Sequence, residues 1–326
     1  MAQFSDRAEA RARPGEGCRT PSAPLEGDTQ VMKRRTFFVA GLAALASRRT
    51  LGAKQLNQPP IVLGNVSLSF YSVTGAVVAA VLERLGHRVE LREGTHEQIF
   101  PLLGEAKIDL MAAAWLPEGH ATYWERYGAA AVEVAKLYDD ARFFWAVPAY
   151  VPQADVASIE DLAKPEVAQR MTRVIQGIGQ GATISVLSQR ALSDYALSAR
   201  GYSFRPGTQV EWLAAYRTAL EQKSWIIFPT WRPQFLNRDG GLRPLHDPRG
   251  TFGGVNRAAL VGPRERVDAL PGKTREALAR IELDIDSVTQ MDWYVNVRNM
   301  TPTDAARTWI AANEDRVNRW LRGSGS

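Results

Sequence analysis

From Pro59 onward the chain alternates short apolar runs with amphipathic stretches, and this alternation limits the fold more than any other feature of the sequence. IVLGNVS, residues 61–67, has the length of a buried strand, and residues 72–85 then repeat apolar side chains at helical spacing as far as Gly86. HRVELREG returns to period two, HEQIFPLLGEAK reads as a helix interrupted by Pro101, and IDLMAAAW is a second buried strand. The rhythm continues with the strand FFWAVPAYV, a helix start at Ser158 with Asp161 three residues on, and RVIQGIGQGA, a strand entering a glycine-rich turn. Residues 184–197 and YRTALEQK are helical, SWIIFPTW and NRAALVGP are strands, and the pattern from Val267 onward is helical.

Strands separated by helices build mostly parallel sheets covered on both faces, so the expected class is α/β. The expected organisation is two lobes, with the chain crossing near residue 148 and returning near 257. Lobe I then comprises 54–148 plus 257–322, and lobe II comprises 149–256. Open α/β sheets bind ligands beyond the carboxyl ends of their strands. Trp115 and Trp231 both stand at such ends, one in each expected lobe.

The formal charge of +5 is gathered at the front of the chain. Residues 1–53 carry nine Lys and Arg against five acids, which leaves 31 of the 40 basic and 30 of the 35 acidic residues for the remainder. A body so nearly neutral gives no electrostatic reason to expect nucleic acid or an anionic membrane as partner. Residues 32–53 combine a positive start, an apolar run over 37–46 too short to span a bilayer, and small residues near 51–53, the pattern of an export signal. Arg34-Arg35 followed by Thr-Phe-Phe resembles a twin-arginine signal; a Sec signal with two incidental arginines leads to the same compartment, the periplasm. Residues 1–31, rich in Arg, Pro, Gly and Glu, read as an unstructured extension. Cys18, the chain's one cysteine, falls there, so the body is expected to have no disulfide and no thiolate metal site.

Catalytic patterns are scarce. His96-Glu97 runs into Gln-Ile-Phe-Pro and makes no H-E-x-x-H, there is no G-x-S-x-G, and four scattered histidines outline no metal cluster. Gly177, Gly179 and Gly181 have the wrong spacing for a dinucleotide loop. No cofactor and no metal are therefore expected. Trp145, Trp309, Trp320 and the group Tyr123, Trp124 and Tyr127 read as packing residues, and His87, His96 and His246 as solvated or structural. Trp115 in W-L-P-E-G-H is either a core tryptophan at a strand-to-helix turn or an aromatic plate facing a ligand.

Six segments decide the comparison with known families by their shared order: DLMAAAWLPEGHATYW, AVPAYV with SIEDLAK, IQGIGQGA, IIFPTWRPQF, LHDPRGTFG and TPTDAARTWIAANEDRVNRWL. Over residues 59–322 the chain resembles the substrate-binding proteins of ABC importers for glycine betaine, choline and related quaternary ammonium compounds. The resemblance implies a two-lobed periplasmic binding fold of type II, a monomer that closes on its ligand, docks on an inner-membrane ABC permease and performs no catalysis. It also implies that Trp115 and Trp231 are plates of an aromatic box and that His120 contacts a ligand carboxylate. Thr183 and Ile184 correspond to backbone donors for the same carboxylate.

The chain departs from the family pattern at three places. Leu68 stands where some relatives have a tryptophan, so that Phe70 or Tyr71 takes over that wall; GIGQGA replaces an Asp-Pro-Gly turn; and Gln234 replaces a histidine. A trimethylammonium group carries a full charge and no N–H, so ring faces suit it better than hydrogen-bond acceptors, at roughly 0.5–2 kcal/mol per contact. His120 and the amides opening the helix after Gly181 suit a carboxylate. Glycine betaine, choline and other methylated amines all remain open as ligands. Two other classes stay in view: an exported enzyme acting on a small methylated amine, and a receptor component that senses such a ligand.

Overall fold

The computed structural model describes residues 59–322; the extension and export-signal readings, with Cys18, lie outside the described residues. The chain opens with strand β1 (Ile61–Val66), helix α1 (Ser69–Arg84), β2 (Val89–Gly94), α2 (His96–Gly104), β3 (Leu110–Leu116) and α3 (Ala121–Tyr127). Helical crossovers of this kind are what parallel pairing requires, and β1 lies parallel to both β2 and β3. All seven residues of β3 are buried, as expected of a strand covered on both faces. Twelve of the sixteen residues of α1 are buried, which is why its sequence is apolar almost all round.

Next comes β4 (Ala131–Pro148), a strand of 18 residues. Its first part pairs antiparallel with β9 (Asn256–Pro263), between Ala131↔Pro263 and Ala141↔Asn256, and its last part pairs with β7 (Phe228–Arg232) and β8 (Leu242–Pro244). Register shifts, with Asp140 at a φ of 66°, separate the two parts. The strand expected from Phe143 is thus the second half of a longer one. Its first half alternates exposed charged residues with buried ones, and the bulges break even that alternation.

The sheet runs β2-β1-β3-β9-β4-β7, with β8 beside β4, and is mixed: parallel from β2 to β3, antiparallel from β3 onward. The segment between β4 and β9 also holds α4 (Pro165–Arg170), β5 (Val174–Gln176), α5 (Thr183–Asp194), β6 (Ser203–Arg205) and α6 (Gln209–Gln222), with β5 and β6 forming a parallel pair. The expected helix start at Ser158 is a 3-10 turn, Ile159–Ala163, and the reciprocal Ser158–Asp161 cap is present. The chain ends in helices α7 (Arg264–Ala269), α8 (Gly272–Ala279), α9 (Ile285–Arg298), α10 (Pro302–Ala312) and α11 (Glu314–Arg322). Trp309 and Trp320 stack at 6.1 Å, both buried, as packing residues do.

Candidate functional site

The apolar run of β3 delivers Trp115 into the interior one residue before the strand ends. Its ring lies 5.5 Å from Phe70, 5.8 Å from Tyr71 and 5.0 Å from Phe143, measured between centroids. The indole N–H donates to Tyr138 Oη at 3.0 Å, so the ring is fixed in rotation as well as position. The backbone N–H of Trp115 donates to His120 Nδ1 at 2.9 Å. That nitrogen therefore carries no proton, the neutral ring holds its proton on Nε2, and Nε2 lies 3.2 Å from Tyr71 Oη. Burial, with His96 adding repulsion, holds His120 well below its ordinary pKa, and burial lowers His96 to about 4. Both rings are neutral at pH 7, and both nitrogens of His120 are already engaged by Trp115 and Tyr71. The turn that presents His120 is held by Asn256, whose Oδ1 accepts from the N–H groups of Glu118 at 2.8 Å and Gly119 at 2.7 Å.

A second wall forms at the end of β7. Trp231 stacks on Trp212 of α6 at 5.0 Å and 19°, and Trp212 stacks in turn on Phe228. Trp231 also meets Phe70 at 5.6 Å. Phe70 therefore touches both tryptophans, tilted by 48° and 45°, and Tyr71 flanks it at 4.0 Å. Of four buried side-chain polar atoms without a partner among the described residues, three come from β7 and the residues just after it: Thr230 Oγ1, Trp231 Nε1 and Gln234 Nε2. The other end of Gln234 is occupied, since its Oε1 accepts from Leu236 N at 2.7 Å. A buried donor left unmatched costs about 1–3 kcal/mol, so Trp231 Nε1 and Gln234 Nε2 are each able to take an acceptor.

The third group opens α5. Thr183 and Ile184 lie in its first turn, where amides have no carbonyl four residues back and the helix dipole favours negative charge. Ile184 is buried, whereas the Thr183 hydroxyl donates to Gly119 O beside His120. Tyr123 Oη donates to Gly181 O at 2.9 Å, and the Gly181 N–H donates to the Glu97 carboxylate. A Cβ on Gly181 would collide with both side chains.

The structure thus gathers Trp115, His120, Phe70, Tyr71 and Trp231 into one aromatic cluster, with Thr183 bonded to the turn before His120 and Gln234 buried three residues after Trp231. Phe143, Tyr138, Trp212 and His96 belong to it as well and were not singled out as site residues by sequence. Phe143 sits in a Phe-Phe pair opposite Trp231, and Trp212 has the helical periodicity of any core tryptophan. His96 stacks on Tyr123 at 5.9 Å, a structural role for a ring read as solvated or structural.

Residues 59–312 match the family described as the substrate binding domain of ABC-type glycine betaine transport systems. A curated relative, the glycine betaine/carnitine transport binding protein GbuC of Listeria monocytogenes, is 23% identical over 161 residues, 49% of this chain and 53% of its own length. The chain therefore spans about half the length of that relative. Among solved structures, lactococcal OpuAC complexed with glycine betaine superposes with a TM-score of 0.72 at 21% identity, covering 81% of this chain and all of that one. An ABC-transporter choline binding protein in complex with choline gives 0.71 at 17% identity, covering 82% and 94%. These two likenesses show the fold, a mixed α/β periplasmic binding fold of type II. By its family match over most of its length, the chain belongs to the substrate-binding domains of ABC-type glycine betaine transport systems.

Proposed function

We propose that the protein captures a quaternary ammonium compound between the Trp115 and Trp231 walls and hands it, unchanged, to an ABC permease in the inner membrane. One observation carries this reading. Trp115 of β3 and Trp231 of β7 both pack on Phe70 of α1, Phe143 of β4 packs on Trp115, and two buried donors, Trp231 Nε1 and Gln234 Nε2, have no partner among the described residues. Ring faces attract a methylated cation that has no N–H, and the donors match an oxygen at its other end. A zwitterion such as glycine betaine offers both groups, and choline offers a cation with a hydroxyl. The names of the curated relative and the contents of the two solved neighbours support the same class.

In this reading 54–148 plus 257–322 form lobe I and 149–256 form lobe II, with β4 and β9 as the two crossings. Contacts from Thr183 to Gly119, Tyr123 to Gly181 and Gln209 to Ser69 then join one lobe to the other. A ligand that binds the closed form better shifts the lobe equilibrium by that difference in affinity, and the permease reads occupancy from shape. Trp115, Trp231, Phe70 and Tyr71 hold the cation; Gln234 and the amides of Thr183 and Ile184 face the oxygen end; His120 holds Trp115 and Tyr71 in place. The protein works as a periplasmic monomer exported by the twin-arginine route. Among the described residues no helix is long and apolar enough to cross a membrane.

The test is a tryptophan-fluorescence titration with glycine betaine and choline, followed by recovery of the ligand. Saturable one-to-one binding with the ligand recovered intact supports the proposal, and conversion of the ligand points to an enzyme instead.

A further inference from the structure

Asp292 is the one carboxylate in α9 that reaches no solvent, at 0% exposure. Its Oδ2 accepts from the backbone N–H of Phe235 at 2.7 Å, and its Oδ1 accepts from Asn296 Nδ2 at 3.0 Å. The Ser69 hydroxyl completes the set: it accepts from Asn296 Nδ2 at 2.9 Å and from Gln209 Nε2 at 3.3 Å, and donates to the carboxylate. Phe235 follows Gln234, and Ser69 precedes Phe70. One carboxylate therefore ties the backbone amide after Gln234 to the side-chain hydroxyl before Phe70, two residues of the proposed ligand walls.

Every donor to Asp292 is neutral. The basic side chains on the elements packed round it are engaged elsewhere: Arg84 of α1 pairs with Glu314, Arg307 of α10 with Asp304, and Lys136 and Arg142 of β4 with Asp139 and Asp140. Next to Phe235, Arg232 pairs with Asp140 and with Asp286 of α9, while Arg238 and Arg298 lie over the Trp293 ring. Tyr138, the titratable group that feels Asp292, has its phenol held above the ordinary value, chiefly by burial and partly by that carboxylate. It is also the acceptor for the Trp115 indole N–H. Burial raises Asp292 to about 6, against the lowering effect of its three hydrogen bonds. Close to neutral pH it is a buried negative charge without a counter-ion, behind a cluster suited to a cation.

We propose that Asp292 is a specificity-determining residue, which positions the Phe70 and Gln234 walls and supplies the counter-charge for a bound cation. This rests on the reading of the site as a quaternary ammonium site. A cation bound nearby favours the ionised carboxylate, so binding near pH 6 expels a proton. Kd then rises as pH falls below about 6, toward a limit of about ten-fold per pH unit for one linked proton. Near pH 6 His96 is neutral, since burial lowers it to about 4, and burial lowers His120 in the same direction.

The experiment is calorimetry of the full chain with choline and with glycine betaine from pH 7.5 to 5.0, in two buffers of different ionisation enthalpy, beside the isosteric variant Asp292→Asn. The expected result is proton release near pH 6 in the wild type and a flat profile in Asp292→Asn. The variant should also lose more affinity for choline, a net cation, than for the zwitterion. A residue with only a structural role would weaken both ligands equally and leave the pH profile unchanged, and that result overturns the proposal. If the variant does not fold, the wild type still decides: binding without proton release near pH 6 overturns the proposal. Binding of neither ligand by the wild type overturns the reading of the site and this inference with it.

Discussion

Replacing His96 by Phe should make the protein more acid-resistant, by an amount that follows from the environment of the ring. His96 is wedged against Tyr123, His120 at 5.2 Å and Tyr71 at 6.3 Å, and burial lowers its pKa to about 4. In the unfolded chain the imidazole titrates near 6.5. Above that value neither state binds the proton and His96 costs nothing. As pH falls from 6.5 toward 4 the unfolded state takes up a proton that the folded state refuses, so stability is lost. At pH 5 the loss is about 2 kcal/mol, from roughly one and a half pH units at 1.36 kcal/mol each. Urea unfolding of the wild type and His96→Phe at pH 7.5 and 5.0 isolates this contribution. Carboxylates, Asp292 included, and His120 are common to both proteins, so their own titrations cancel to first order. The difference in unfolding free energy should move by about 2 kcal/mol in favour of the variant between the two pH values. A difference that stays constant with pH would show that His96 is protonated in the folded protein and refute the reasoning.

Trp115→Ala and Trp231→Ala should each weaken glycine betaine binding by more than about ten-fold, since each ring contributes on the order of 1.4 kcal/mol or more to holding the cation; fluorescence or calorimetric titration checks this. Tyr138→Phe leaves the buried Trp115 indole N–H without its acceptor and should cost about 1–3 kcal/mol of stability, seen as a lower melting temperature. Gly181→Ala places a methyl group against the Glu97 carboxylate and the Tyr123 hydroxyl, so ligand affinity should fall several-fold while the melting temperature changes little. Unchanged affinity in that variant would remove the Gly181 contact from the closing movement.

Much of the architecture is readable because buried strands are written as compact apolar runs: β1, β3 and β9 lie close to where IVLGNVS, IDLMAAAW and NRAALVGP put them. The first half of β4 is not, because an antiparallel strand with one exposed face, carrying Glu133, Lys136 and Asp139, has no run to see, and its bulges break the alternation. At the site, the W-L-P-E-G-H context singles out Trp115 and His120. What His120 touches is not legible, because five residues of turn bring its Nδ1 back onto the Trp115 amide. Tyr138, Phe143 and Trp212 enter the cluster, and Asp292 reaches the residues beside it, through packing between segments remote in sequence. No local pattern distinguishes a tyrosine that accepts a tryptophan N–H, or a carboxylate that accepts the amide of Phe235, from ordinary members of a strand or helix.

The most direct test of the account is a binding series over the methylation of one amine: glycine, its mono-, di- and trimethyl derivatives, titrated against the full chain under one set of conditions. If facing aromatic rings select the ligand, affinity climbs with each methyl group and is greatest for the trimethyl compound, which has no N–H left. Tightest binding of glycine itself, or no binding anywhere along the series, would contradict it.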